Sequence, residues 1–165
     1  MSLLNILTIL LLIAACILPF IIINMRRKKS EQKFLQVLLS HASESNNTIS
    51  QYDLSNQQAI GIADISNTLF FLKRRNNHDV IKQIELAQIE RCYINKTSRS
   101  SIDGNYSATE RLELRFTRAD KNSSEEVFEL YNLEHDSLSM AGQLELAEKW
   151  HSIVSSRLPS KKGKP

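Results

Sequence analysis

The sequence predicts an N-terminal transmembrane helix followed by an α+β domain, in which an antiparallel seven-stranded barrel or sandwich is capped by a C-terminal helix. Three observations predict it. Residues 3–24 contain no charge, and Arg26-Arg-Lys-Lys29 follows at once. From Thr48 to Asn132 the apolar residues recur with a period of two, as in half-buried strands. After that the period returns to that of a helix, with Leu146, Ala147, Trp150, Ile153 and Val154 on one stripe.

The first segment is long enough, as a helix rising about 33 Å, to cross a hydrocarbon core about 30 Å thick. A secretory signal would carry its positive charges before the apolar run, whereas here they come after it. Ile13-Ala-Ala-Cys16 resembles a lipobox and keeps open an outward-facing lipoprotein, but Ile17-Leu-Pro-Phe-Ile-Ile-Ile23 continues the apolar run past the cysteine. Positive flanks stay in the cytoplasm. The expectation is a single-pass protein of the inner (plasma) membrane with its N-terminus outside and residues 30–165 cytoplasmic. Arg26, Arg27, Lys28 and Lys29 would then lie at the membrane surface, where each basic residue gains roughly 1 kcal/mol from anionic lipid.

The formal charge of +3 comes from the ends of the chain. Arg26 to Lys29 and Lys161, Lys162 and Lys164 hold seven of the 21 basic residues, leaving 14 against 18 acidic ones and a body of net charge −4. That balance argues against a nucleic-acid partner. Cys16 falls in the apolar segment and Cys92 is alone in the body, so no disulfide is expected there. The sequons at Asn46, Asn95, Asn105 and Asn122 are then products of an Asn- and Ser-rich composition.

Residues 1–25 form the expected anchor, 26–47 a basic juxtamembrane segment and amphipathic helix, 48–158 the folded domain, and 159–165 a disordered basic tail. Phe34, Leu35, Val37, Leu38 and Leu39 mark the apolar face of the helix between Ser30 and Ser43, with either the domain or the membrane as its support. Strands are predicted over Ile49–Leu54, Gln58–Ala63, Thr68–Lys73, Val80–Leu86, Ile89–Lys96, Thr109–Arg118 and Glu126–Asn132. Breaks such as Asp64-Ile-Ser-Asn67 and Asp103-Gly-Asn105 separate them. In the sixth, Leu112, Leu114 and Phe116 face one way and Arg111, Glu113 and Arg115 the other, which predicts one buried and one solvated face. No crossover helix interrupts the strands, so they should form a meander of hairpins. The final helix, roughly Ser139 to Arg157, stops before Pro159.

Seven strands followed by a helix whose apolar face carries a tryptophan resembles the order of pleckstrin-homology-like domains, and Leu144 to Leu158 is similar to their capping helix. The chain is also similar to a group of uncharacterised bacterial single-pass membrane proteins in Tyr52-Asp-Leu, Ala59-Ile-Gly-Ile and Leu146-Ala-Glu-Lys-Trp150. The resemblance implies a bent barrel whose open end Trp150 plugs. Phosphoinositide-binding members place basic residues around the loop joining their first two strands, and here that loop is Ser55-Asn-Gln57. Protein recognition is therefore the implied role, rather than lipid recognition.

Catalytic chemistry finds little support in the sequence. The four histidines, His41, His78, His135 and His151, have no ligand partners at metal spacing. Gly61, Gly104, Gly142 and Gly163 are isolated, so no phosphate cradle is formed. Cys92 sits in a strand whose alternation buries it, which favours an inert thiol over a nucleophile. The expectation is a non-enzymatic membrane-anchored binding or scaffolding module with no cofactor and a membrane or cytoplasmic protein as partner. A membrane-tethered enzyme is the alternative. Candidate contacts are the basic run Lys73, Arg74 and Arg75, alternatively a solvated hairpin end, together with Arg99 and Tyr106 in the polar stretch Thr97 to Ala108.

Overall fold

The computed structural model describes residues 3–55, 57–75, 78–100, 107–120, 124–134, 136 and 140–159. Side chains are described from residue 11 onward, except at 14, 27, 100, 107, 108 and 141. A long helix α1 (Leu3–Glu44) leads into strands β1 (Gln51–Leu54), β2 (Gln58–Ala63), β3 (Thr68–Arg75) and β4 (His78–Glu85). A 3-10 turn (Leu86–Gln88) leads to β5 (Ile89–Ser100), β6 (Ser107–Arg118) and β7 (Glu126–Asn132), and helix α2 (Met140–Ser155) closes the order.

The strands do not form one seven-stranded barrel. They divide into two antiparallel sheets, β1-β2-β3-β4 and β5-β6-β7, joined through the 3-10 turn. The physical reason lies in the first sheet, where every residue of β2 is buried, as are Thr68 to Lys73 of β3. A sheet covered on both faces needs a layer on each side. On one side Ile60, Ile62, Leu69, Phe71 and Ile84 meet Leu112, Leu114, Phe116, Phe128 and Leu130 of the second sheet, together with Ala147, Trp150 and Val154 of α2. Phe128 stacks on Phe71 at 4.7 Å and meets Phe116 edge-on at 4.8 Å. On the other side Phe34, Leu38 and Ala42 of α1 pack on Ala59, Ala63, Phe70 and Leu72. Small residues on that face of β2 let the helix approach, and a Cβ at Gly61 would stand only 3.2 Å from Leu38 Cδ2.

The expected membrane-spanning helix is also overturned, because among the described residues no helix is long and apolar enough to cross a membrane. Within α1 the described side chains Leu11, Leu12, Ile13, Ile17, Leu18, Phe20 to Ile23 and Met25 are apolar and exposed. Beyond them the same helix carries Arg26, Lys28 and Lys29 and then turns its apolar stripe to the sheet. The single-pass inner-membrane location, the outside N-terminus and the bilayer as partner rested on that span and fall with it. Leu11 to Met25 stand clear of the domain, with Leu11 at 69% and Phe20 at 72% exposed.

The helix runs unbroken through Pro19 and through the basic cluster, where two helices had been expected. It stops in a Schellman arrangement: Asn46 adopts φ 54°, its N–H donates to Ser43 O, and the Asn47 N–H donates to Ala42 O at 2.8 Å. The second hairpin turns on Asn67 at φ 51°, a conformation asparagine tolerates better than most residues.

Candidate functional site

β3 and β4 run past the core. Their register places Phe71 opposite Lys82, Lys73 opposite Val80 and Arg75 opposite His78. These residues share the face that packs inward at Leu69 and Ile84, away from the turn, so the turn end of the hairpin presents Lys73, Arg75, Val80 and Lys82 alongside β7. With Phe71, Glu113, Val127 and Glu129 they line a cleft of about 220 Å³. β4 and β7 are both edge strands of their sheets. Lys82 links them, its Nζ donating to the Val127 carbonyl at 2.8 Å.

The floor carries an unusual pairing. Glu113 and Glu129 are directly opposite on neighbouring strands, an arrangement that like charge alone would destabilise. Three cations offset it. Arg115 Nε donates to Glu113 at 2.9 Å, Arg111 lies 3.5 Å from Glu129 and 3.7 Å from Glu113, and Lys73 Nζ lies 3.6 Å from Glu129. Lys73 also donates to Asp136 at 2.9 Å, and Asp136 caps the Asn132 N–H at 2.7 Å. Glu113 raises the pKa of the Arg115 guanidinium by accepting its hydrogen bond. Glu113, Glu129 and Asp136 are thus each met by a cation, and Arg115 also reaches Glu125 at 3.4 Å. Arg75 has no ion-pair partner among the described residues, and Lys82 meets only a carbonyl. These two charges make the mouth of the cleft positive.

The sequence-derived candidates separate. Lys73 is 5% exposed and neutralised, so it is neither a solvated hairpin end nor a free contact. Arg74 points the other way, forming two hydrogen bonds to Asp79 at 2.7 and 2.9 Å and lying 4.6 Å over the Phe34 ring. That contact holds the Asp79 carboxyl below its ordinary range and fixes Arg74 to the α1 interface. Arg75 alone of the run is free to meet a ligand. Arg99 is no loop residue: β5 and β6 pair as far as Ser100 and Ser107, and Arg99 bonds Glu110 at 2.9 Å. Tyr106 lies outside the described residues. Arg26, Lys28 and Lys29 are exposed on α1, away from the cleft, and the Arg27 side chain is not among those described.

Sequence reasoning passed over Val80, Lys82, Val127 and Glu129, and it placed Glu113 on a solvated face where it is 4% exposed. A signal was present for Lys82, which shares strand parity with Val80 and Ile84 and so sits where an inward-facing apolar residue is expected. Cys92 is 6% exposed. Burial pushes its thiol up to about 12, which leaves no thiolate to act as a nucleophile near neutrality.

Trp150 is fully buried, and its indole N–H donates to Asp53 Oδ2 on β1 at 2.8 Å. Lys149 Nζ donates to the other oxygen at 2.8 Å. No protein family, curated protein or solved structure matches this chain, so the resemblances drawn from its sequence have no match behind them.

Proposed function

We propose that this chain is a protein-binding module whose docking surface is the cleft between the β3–β4 hairpin and β7. The observation that carries this reading is the cleft itself, bounded by two edge strands and combining exposed Val80 with two uncompensated cations. Edge strands offer backbone donors and acceptors to an incoming chain. A volume of about 220 Å³ suits one or two side chains better than a cofactor, whose pockets usually begin near ~300 Å³. The charge-balanced floor gives a rigid base that needs no rearrangement to receive them.

A photo-crosslinking residue at position 80 of the full chain tests the reading in cells. It should trap a discrete protein, whereas the same residue at Ser152, on the exposed side of α2, should not. Equal or absent crosslinking from the two positions would refute the proposal.

A further inference from the structure

Accepting that reading, we infer that the cleft takes an extended acidic segment of a partner protein, with carboxylates on Arg75 and Lys82 and an apolar side chain against Val80 and Val127. Charge complementarity is the argument. Within the cleft Lys73, Glu113 and Glu129 are already satisfied by one another, by Arg111 and Arg115, and by Asp136. What remains is positive, and it lies at the mouth, where an incoming chain arrives first. A basic segment would meet two cations and no free carboxylate among the described lining residues. Val80 is 40% exposed, an apolar group between the two charges that an alternating acidic and apolar chain would cover.

An extended backbone also accounts for Lys82. Its ammonium group occupies the Val127 carbonyl of the edge strand β7, and a lysine on an edge strand is a device that keeps the edge from pairing at random. A partner carboxylate would draw that ammonium group away and expose the carbonyl to the partner's own N–H. The segment would thus bring with it the group that opens its pairing site, and a chain without acidic residues would leave the edge closed.

The probe is a fluorescein-labelled octapeptide of alternating Glu and Val, titrated by anisotropy into the full chain, with an alternating Lys and Val octapeptide as control. The acidic peptide should bind and the basic one should not. Arg75→Gln and Lys82→Gln should each weaken binding about tenfold, as expected for loss of a charge-assisted hydrogen bond, and each melting temperature should stay near wild type because neither cation is paired to a buried carboxylate. Binding of both peptides alike, or indifference to both substitutions, would overturn the inference. So would equal affinity for a single-stranded deoxyoligonucleotide of the same charge, since the cleft would then be reading charge alone. If position 80 crosslinks a protein and the two substitutions leave that crosslink intact, the docking surface stands and its acidic occupant does not. If position 80 traps nothing, the docking surface itself fails.

Discussion

Replacing Asp53 with alanine should loosen α2 from β1 by an amount that two contacts determine. The Trp150 N–H is buried and would lose its acceptor, which costs about 1–3 kcal/mol for an unsatisfied group. The Lys149 pair contributes less, because its partners are 48% and 28% exposed and such pairs are worth about 0–1 kcal/mol. The indole bond therefore dominates, and a total near ~2 kcal/mol corresponds to a fall in melting temperature of roughly 8 °C for a domain of this size. Urea unfolding followed by far-UV circular dichroism measures the loss, and a cycle with Trp150→Phe isolates the shared contact. Phenylalanine keeps most of the ring's burial but removes the N–H, so its cost in the Asp53→Ala background should be smaller by about 1 kcal/mol than in wild type. Additive losses, or an Asp53→Ala protein as stable as wild type, would show that the indole does not depend on Asp53 and that α2 is held by apolar packing alone.

Two further outcomes test the two cores separately. A methyl group at Gly61 would lie 3.0 Å from Ile49 Cγ2 and 3.2 Å from Leu38 Cδ2; Gly61→Ala should cost about 1 kcal/mol by overpacking, and combining it with Leu38→Ala should recover part of that loss in the same unfolding assay. Cys92 is ordinarily ionised above its unfolded value of 9.0 but is held neutral in the fold up to about 12, so its contribution is intact below pH 9 and is lost as pH rises toward 12. The slope is about 1.4 kcal/mol per pH unit. Cys92→Ala should flatten that slope in urea midpoints measured from pH 8 to 10.5, and an unchanged slope would show the thiol to be solvated.

The strands were legible because alternation reports local burial, and β2, β6 and β7 lie within a residue or two of their predicted bounds. What alternation cannot report is a second cover. Ala59, Gly61 and Ala63 read as the indifferent face of β2, yet they are the face that α1 presses against through Phe34, Leu38 and Ala42. The helix stripe was visible and the small residues were visible; their complementarity exists only in three dimensions. The long β5–β6 hairpin was shortened for a related reason. Thr97 to Arg99 are polar and exposed, so no apolar period marks them, and backbone pairing such as Ser98 with Thr109 extends the ladder without one. The cleft was the least legible part, since its two walls come from strands some 45 residues apart, as the Lys82–Val127 bond records.

The basic run Lys73-Arg-Arg75 shows how one local pattern divides into three roles. Strand alternation sends Lys73 and Arg75 to one face and Arg74 to the other, so a contiguous cluster could never act as a single patch. Arg74 meets Asp79 and Phe34 and secures the α1 side. Lys73 is buried with Glu129 and Asp136, and removing it would leave the buried Asp136 carboxylate without its cation at a cost of about 3–5 kcal/mol, while Glu129 would keep Arg111. Arg75 is the member of the run without an ion-pair partner among the described residues, and it lines the cleft with Lys82 from the opposing strand, which the sequence keeps seven residues away. In the reading proposed above, a site whose free charge among the described residues is two cations holds too little positive charge for a long polyanion. It still admits a short acidic stretch whose charges fall within the cleft. In that reading the cleft would favour specificity over raw affinity, because the spacing of the two cations across β3 and β4 would decide which acidic segments can dock.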